Sequence, residues 1–158
     1  MQRSLNTFRN HGFSLLEVLV TVLIISVGLL GLAGMQMKAF QHTNDSYNRS
    51  QASLLAYDIA DRIRGNLGAI DTYKDADTAA VTTTTDCKTA ACGIDQIADY
   101  DLESWKQDVE NQLPMGRGII TNSGSEYTIT IMWDEKREGT GSDCSTLQCF
   151  SLTTEFEV

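Results

Sequence analysis

The chain has 158 residues, with 12 Lys+Arg against 21 Asp+Glu, a formal net charge of −9. That length holds one small domain plus an anchor. A pI near 4.5 disfavours a polyanion partner, so no nucleic acid is expected. Arg62 and Arg64 stand close together, but they fit a solvated helix face better than a basic patch.

Residues 1–12 are polar, contain Arg3 and Arg9, and carry no acid. A secretory signal places its apolar region before the cleavage point. Here the apolar region follows Gly12, so a cut after Gly12 would leave it on the mature protein. From Phe13 to Met37 the only charged residue is Glu17. Val18 to Met35 has only Thr21 and Ser26 as polar side chains, and their hydroxyls can bond back to the helix backbone. About 20 apolar residues span a bilayer core, so 13–37 is expected to cross a membrane. Arg3 and Arg9 precede the span, which predicts a cytoplasmic N-terminus and an exported C-terminal part.

An acid in a membrane helix costs about 2.5–3.5 kcal/mol. Glu17 lies about one turn inside, where the interface relieves part of that cost. A new α-amine on Phe13 of a neighbouring subunit would relieve more. Gly28, Gly31 and Gly34 recur at three-residue spacing. They read equally as sites of close helix approach and as small residues that a membrane helix tolerates.

The pattern then turns amphipathic without a break. Phe40, Tyr47, Leu54, Leu55, Ile59, Ile63 and Leu67 recur near helical spacing. Lys38, Asn44, Arg49, Asp58, Asp61 and Arg62 take the other face. Asp58 and Arg62 stand four apart in the favourable order. Gly65-Asn66 and Gly68 stop the pattern, giving one helix from about 13 to 66. Its first half is apolar all round and its second half has one wet face.

Residues 67–98 read as a connection without a sustained period, with a threonine run at 82–85. Asp101 is placed to cap a helix from Leu102 to Gln112, with Leu102, Trp105, Val109 and Leu113 on one face. Pro114-Met115-Gly116-Arg117-Gly118 is a turn. A short strand, Gly118 to Thr121, and a turn at Asn122–Ser125 follow. Tyr127, Ile129, Ile131 and Trp133 alternate onto one face of a second strand. After a charged loop from Asp134 to Asp143, a last strand sets Phe150, Leu152, Thr154, Phe156 and Val158 against Ser151, Thr153, Glu155 and Glu157. The fold class is α+β: a small antiparallel sheet whose dry face is covered by the amphipathic half of the long helix.

Gly12-Phe13-Ser14-Leu15-Leu16-Glu17 ahead of a long apolar helix resembles the class III signal of type IV pilins and pseudopilins. The remainder is similar to one branch, the minor pilins typified by the type IV pilus modification protein PilV. Leu55 to Arg64, Asp101 to Trp105, Leu113 to Gly118 and Thr130 to Trp133 carry that likeness. The resemblance implies a type IV pilin-like fold and a leader at 1–12. Residues 13–37 would be a transmembrane and polymerisation helix, and 38–158 would hold the amphipathic half-helix and the head. It implies cleavage between Gly12 and Phe13 by prepilin peptidase, N-methylation of Phe13, and a role for Glu17 in neutralising a neighbour's N-terminus. The implied partners are major and minor pilins and the assembly platform of the bacterial inner membrane. The subunit would pass from that membrane into a pilus at the cell surface, serving assembly, with adhesion or twitching motility as further roles the family takes. Major pilins often carry a proline inside the apolar helix; here the only proline in the chain is Pro114.

An exported head lies where disulfides persist. Spacing favours the local pairs Cys87–Cys92 and Cys144–Cys149, each closing a loop worth roughly 2 kcal/mol. A long-range Cys87–Cys149 staple and a four-thiolate zinc site are the alternatives. His11 and His42 form no metal pair, and no cofactor or catalytic motif is apparent, so the chain is not expected to be an enzyme. A secretion-system pseudopilin shares the whole N-terminal pattern. A membrane-tethered periplasmic binding protein or enzyme is the rival from a different class.

Overall fold

The computed structural model describes residues 12–82 and 86–156. Arg3, Arg9 and His11 of the expected leader, part of the threonine run, and Glu157 and Val158 lie outside the described residues. The chain divides into two units, Met1–Thr43 and Asn44–Val158.

Helix α1, Leu15–Gly65, is continuous through the boundary between them. In the first unit it is exposed all round, from Leu15 onward. Thr21 Oγ1 donates to Val18 O at 2.8 Å and Ser26 Oγ to Val22 O at 2.7 Å, so both hydroxyls are satisfied by their own helix.

The second unit is an α+β fold. After α1 come a 3₁₀ turn, Leu67–Ala69, then α2, Ile70–Tyr73, and α3, Ile94–Gln112. Strands β1, Arg117–Ser123, β2, Glu126–Trp133, and β3, Gln148–Glu155, form one antiparallel sheet in sequence order. Ser123 pairs with Glu126 across the two-residue loop Gly124-Ser125. Gly124 sits there at φ +65°, a conformation glycine adopts without steric cost. The inward set Tyr127, Ile129, Ile131 and Trp133 is buried, as the alternation predicts. On the wet face Thr128 meets Thr153 and Thr130 meets Ser151 through their hydroxyls, at 3.3 and 3.2 Å.

The head face of α1 agrees with the expected one at Leu55, Ile59 and Ile63 and differs elsewhere. Ala52, Leu55, Ala56, Ile59, Ala60 and Ile63 are buried, whereas Tyr47 and Leu54 are exposed. Phe40, in the first unit, is exposed too. Three alanines at four-residue spacing let neighbouring elements approach the helix closely, and a search for large apolar residues passes over them.

Helix α3 also differs: it begins at Ile94, two turns before the expected Leu102. Gly93 N donates to Gln96 Oε1 at 3.0 Å and Gly93 O accepts from Ile97 N at 2.9 Å, which starts the helix. Asp101 is therefore no cap. Its carboxylate accepts from Tyr73 Oη at 2.7 Å and lies 3.5 Å from Arg62. The same Arg62 reaches Asp58 at 2.9 Å and Asp108 at 3.6 Å, so one guanidinium joins α1 to α3. β1 begins at Arg117 and runs two residues past Thr121. The loop after β2 continues to Leu147.

The connection after α1 is ordered by tertiary contacts. Ile70 and Tyr73 are buried, and Asp77 bridges to Ile119 at the edge of β1. Thr78 N donates to Gly118 O at 2.9 Å, Gly118 N to Thr78 Oγ1 at 2.9 Å, and Ile120 N to Ala76 O at 2.8 Å. These bonds cover the β1 edge with the chain's own backbone.

Candidate functional site

The first candidate is the start of α1. Ser14 O accepts from Glu17 N at 3.0 Å and from Val18 N at 3.3 Å, so Ser14 closes the first turn. Glu17 is the acid of that turn. A carboxylate there faces the positive end of the helix dipole, which offsets part of the cost of carrying an acid in an apolar helix. Phe13 is 84% exposed, and Gly12 beside it has open space where a side chain would stand.

The helix beyond Glu17 is long and apolar enough to cross a membrane, with a mean hydropathy of 2.6 over its most apolar 18-residue window and none of that window buried. A folded chain does not leave such a surface in water. An added Cβ at Gly28, Gly31 or Gly34 would meet nothing within 4 Å, so these glycines answer to no contact among the described residues.

The second candidate is a hub within Asn44–Val158, centred on Trp105. Its indole is fully buried and donates through Nε1 to Leu55 O at 3.0 Å. Gly118 lies against its other edge: a Cβ there would stand 2.4 Å from Cη2. A Cβ on Gly116 would stand 2.3 Å from Val109 O, and Met115 between them and Pro114 takes φ +50°. Three sequence stretches thus meet at one tryptophan: Leu55–Arg64, Asp101–Trp105 and Leu113–Gly118.

Beside the hub, Arg117 pairs with Asp77, with Nε at 2.9 Å from Oδ1 and a second contact from Nη2. The Arg117 guanidinium holds the Asp77 carboxyl below the usual carboxylate range. A lowered folded-state pKa stabilises the head above the ordinary aspartate range and loses that contribution as pH falls through it. We expect Arg117→Ala to flatten the fall in stability between pH 5 and 3, read as melting temperature against pH. An unchanged slope would refute the pairing as its source. Sequence reading missed this pair because Asp77 lies in a stretch with no periodicity; the partner is 40 residues away.

Cys87 is bonded to Cys92 at S–S 2.02 Å and Cys144 to Cys149 at 2.05 Å. With all four sulfurs in S–S bonds, they offer no thiolate set to a metal. Among the described residues no cluster of three or more His, Cys, Asp or Glu side chains is placed to hold an ion. Trp133 is buried as core, and His42 is exposed on α1.

An exposed apolar helix with one acid at its start, continuous with a disulfide-bearing α+β head, defines a membrane-anchored subunit of the pilin type. Residues 7–33 match the family model for the prokaryotic N-terminal methylation motif, and residues 34–103 match that for the type IV pilin Tt1218. The two matches adjoin, running from residue 7 to residue 103, and support a type IV pilin, a class of structural subunits that assemble into pili. The methylation motif implies processing by prepilin peptidase. No curated protein and no solved structure matches the chain.

Proposed function

We propose that this chain is a minor pilin of the PilV type. Prepilin peptidase removes residues 1–12 by cutting between Gly12 and Phe13 and methylates the Phe13 amine. Residues 13–37 hold the subunit in the inner membrane with its N-terminus cytoplasmic, and 38–158 supply the half-helix and head on the periplasmic side. On assembly the helix leaves lipid for the fibre, and Glu17 pairs with the Phe13 amine of a neighbour. The observation that carries this reading is the match to the methylation motif over a fully exposed apolar helix whose first turn holds Glu17. The PilV assignment has separate support: three of the four stretches that resemble that branch, Leu55–Arg64, Asp101–Trp105 and Leu113–Gly118, meet at Trp105.

Gly12→Ala should retain the leader, and Glu17→Ala should be processed but fall at least about tenfold in sheared fibres, equivalent to roughly 1.4 kcal/mol of assembly free energy. N-terminal sequencing and immunoblots of the fibre fraction read the two outcomes. If both variants mature and enter fibres at wild-type levels, the proposal fails. Loss of protein secretion with intact surface pili would mark a secretion pseudopilin instead.

A further inference from the structure

We propose that the outer edge of β3 is a docking site for an extended segment of a partner protein, which adds to the sheet as a further strand and brings a lysine or arginine to Glu155. The two edges of the sheet differ. Backbone from Ala76 to Thr78 covers β1, whereas among the described residues the backbone of β3 bonds only to β2. β3 is 8 residues long, holds no Pro, Lys or Arg, and keeps an unbroken register with β2 from Gln148 to Glu155. It thus lacks the proline, the basic side chain and the bulge that commonly protect a free edge. Cys149 is bonded to Cys144 in the preceding loop, which holds the start of the strand in place.

Both faces of the sheet define what fits there. On the dry face Ile120, Ile129 and Leu152 form one row, and Gly118, Ile131 and Phe150 the next. Ile120, Ile129 and Ile131 are fully buried, but Leu152 and Phe150 are only partly so, and the apolar cover therefore ends at β3. Apolar residues on an added strand would complete both rows. On the wet face the hydroxyls of Thr128 and Thr130 meet those of Thr153 and Ser151, and further hydroxyls would extend the ladder. At the end of the strand Glu126 and Glu155 stand directly opposite, both exposed, and neither is in an ion pair among the described residues. Like charges so placed repel. Arg64 reaches this end of β3 from the dry side: Nη2 donates to Thr154 Oγ1 at 3.1 Å, and the guanidinium lies over the Phe156 ring. The wet side therefore has room for a cation beside Glu155. The β3 of a second copy cannot supply one, since Glu155 is its only charged residue. The fitting partner alternates apolar and hydroxyl residues and ends in Lys or Arg. Antiparallel pairing, as in the rest of the sheet, puts that cation at the N-terminal end of the segment.

The synthetic peptide Lys-Val-Thr-Val-Thr-Val, blocked at both ends, tests this on the full chain in mild detergent. Amide hydrogen exchange read by NMR should find alternate amides of β3 fast in the free chain, because only every second one faces β2. With peptide at about ten times its Kd, the fast set should slow about tenfold. N-methylation separates backbone pairing from apolar adhesion. Of two peptides N-methylated on the two alternate sets of residues, one should bind like the parent and the other should not bind. Glutamate in place of the lysine should weaken binding about threefold, and Glu155→Gln should abolish that preference. A β3 that is uniformly slow in the free chain is already covered and overturns the proposal. So does protection that rises with protein concentration alone, which marks a second copy. A fast set unchanged at about 1 mM peptide overturns it too, as does equal binding by both N-methylated peptides. Equal affinity for the lysine and glutamate peptides overturns the cation at Glu155. β3 lies within the head, so none of these outcomes depends on leader cleavage or entry into fibres.

Discussion

Trp105→Ala is expected to lower the stability of the head by about 4 kcal/mol, the cost typical of removing a buried tryptophan. Trp105 is fully buried in a cluster built from α1, α3 and the sheet. Its removal opens a cavity on which three elements converge. The bond from Nε1 to Leu55 O is lost as well. That carbonyl also belongs to the α1 ladder, so the cavity and the lost apolar contact dominate. Chemical denaturation of the full chain in mild detergent, followed by near-UV circular dichroism, measures the effect. A loss below about 1 kcal/mol would show that Trp105 is not the hub. A pilin whose head unfolds is also expected to be depleted from the cell, so fibre counts for this variant need correction for subunit abundance.

Gly118→Ala is the second large effect, expected to destabilise by about 2–3 kcal/mol through overpacking. An added Cβ would stand 2.4, 2.7 and 2.9 Å from Cη2, Cζ2 and Cζ3 of Trp105. Those three atoms belong to the outer ring of the indole, and a phenylalanine at 105 lacks that ring. Gly118→Ala should therefore cost less in a Trp105→Phe background, with a coupling of about 1–2 kcal/mol across the double-mutant cycle. Gly116→Ala is the control. Its Cβ meets Val109 O at 2.3 Å, a backbone atom that Trp105→Phe does not move. Relief at Gly118 without relief at Gly116 would place the close approach on the indole. Equal costs in both backgrounds would refute that assignment.

These two substitutions explain why the stretch Leu113–Gly118 has the composition it does. Read alone, Pro-Met-Gly-Arg-Gly is a turn, and its glycines pass as turn formers. In the fold neither glycine takes a positive φ, whereas Met115 does. Gly116 and Gly118 are small because a carbonyl and an indole come close. Arg117 between them turns outward to Asp77 and holds the segment that covers the β1 edge. The turn thus joins packing on one side to an ion pair on the other.

The sequence by itself determined those features that rest on local periodicity and on one-dimensional order. The uncharged stretch Val18–Met35, apolar all round but for Thr21 and Ser26, marks a helix that lipid or other subunits must cover. Alternation at Tyr127, Ile129, Ile131 and Trp133 determined a half-buried strand, since side chains on a strand change face at every residue. The stop after Arg64 was legible from Gly65-Asn66. Only the tertiary structure decided which face of α1 is buried, because Ala52, Ala56 and Ala60 matter through the closeness they allow and not through their own hydrophobicity. It alone decided that α3 starts at Ile94, where Gln96 bonds back to the Gly93 backbone and Asp101 is engaged by Tyr73 and Arg62. The Asp77–Arg117 pair and the Asn48–Glu135 hydrogen bond belong to the same class. Each joins residues 40 or more positions apart, and a charge in sequence carries no mark of the partner that the fold will bring to it.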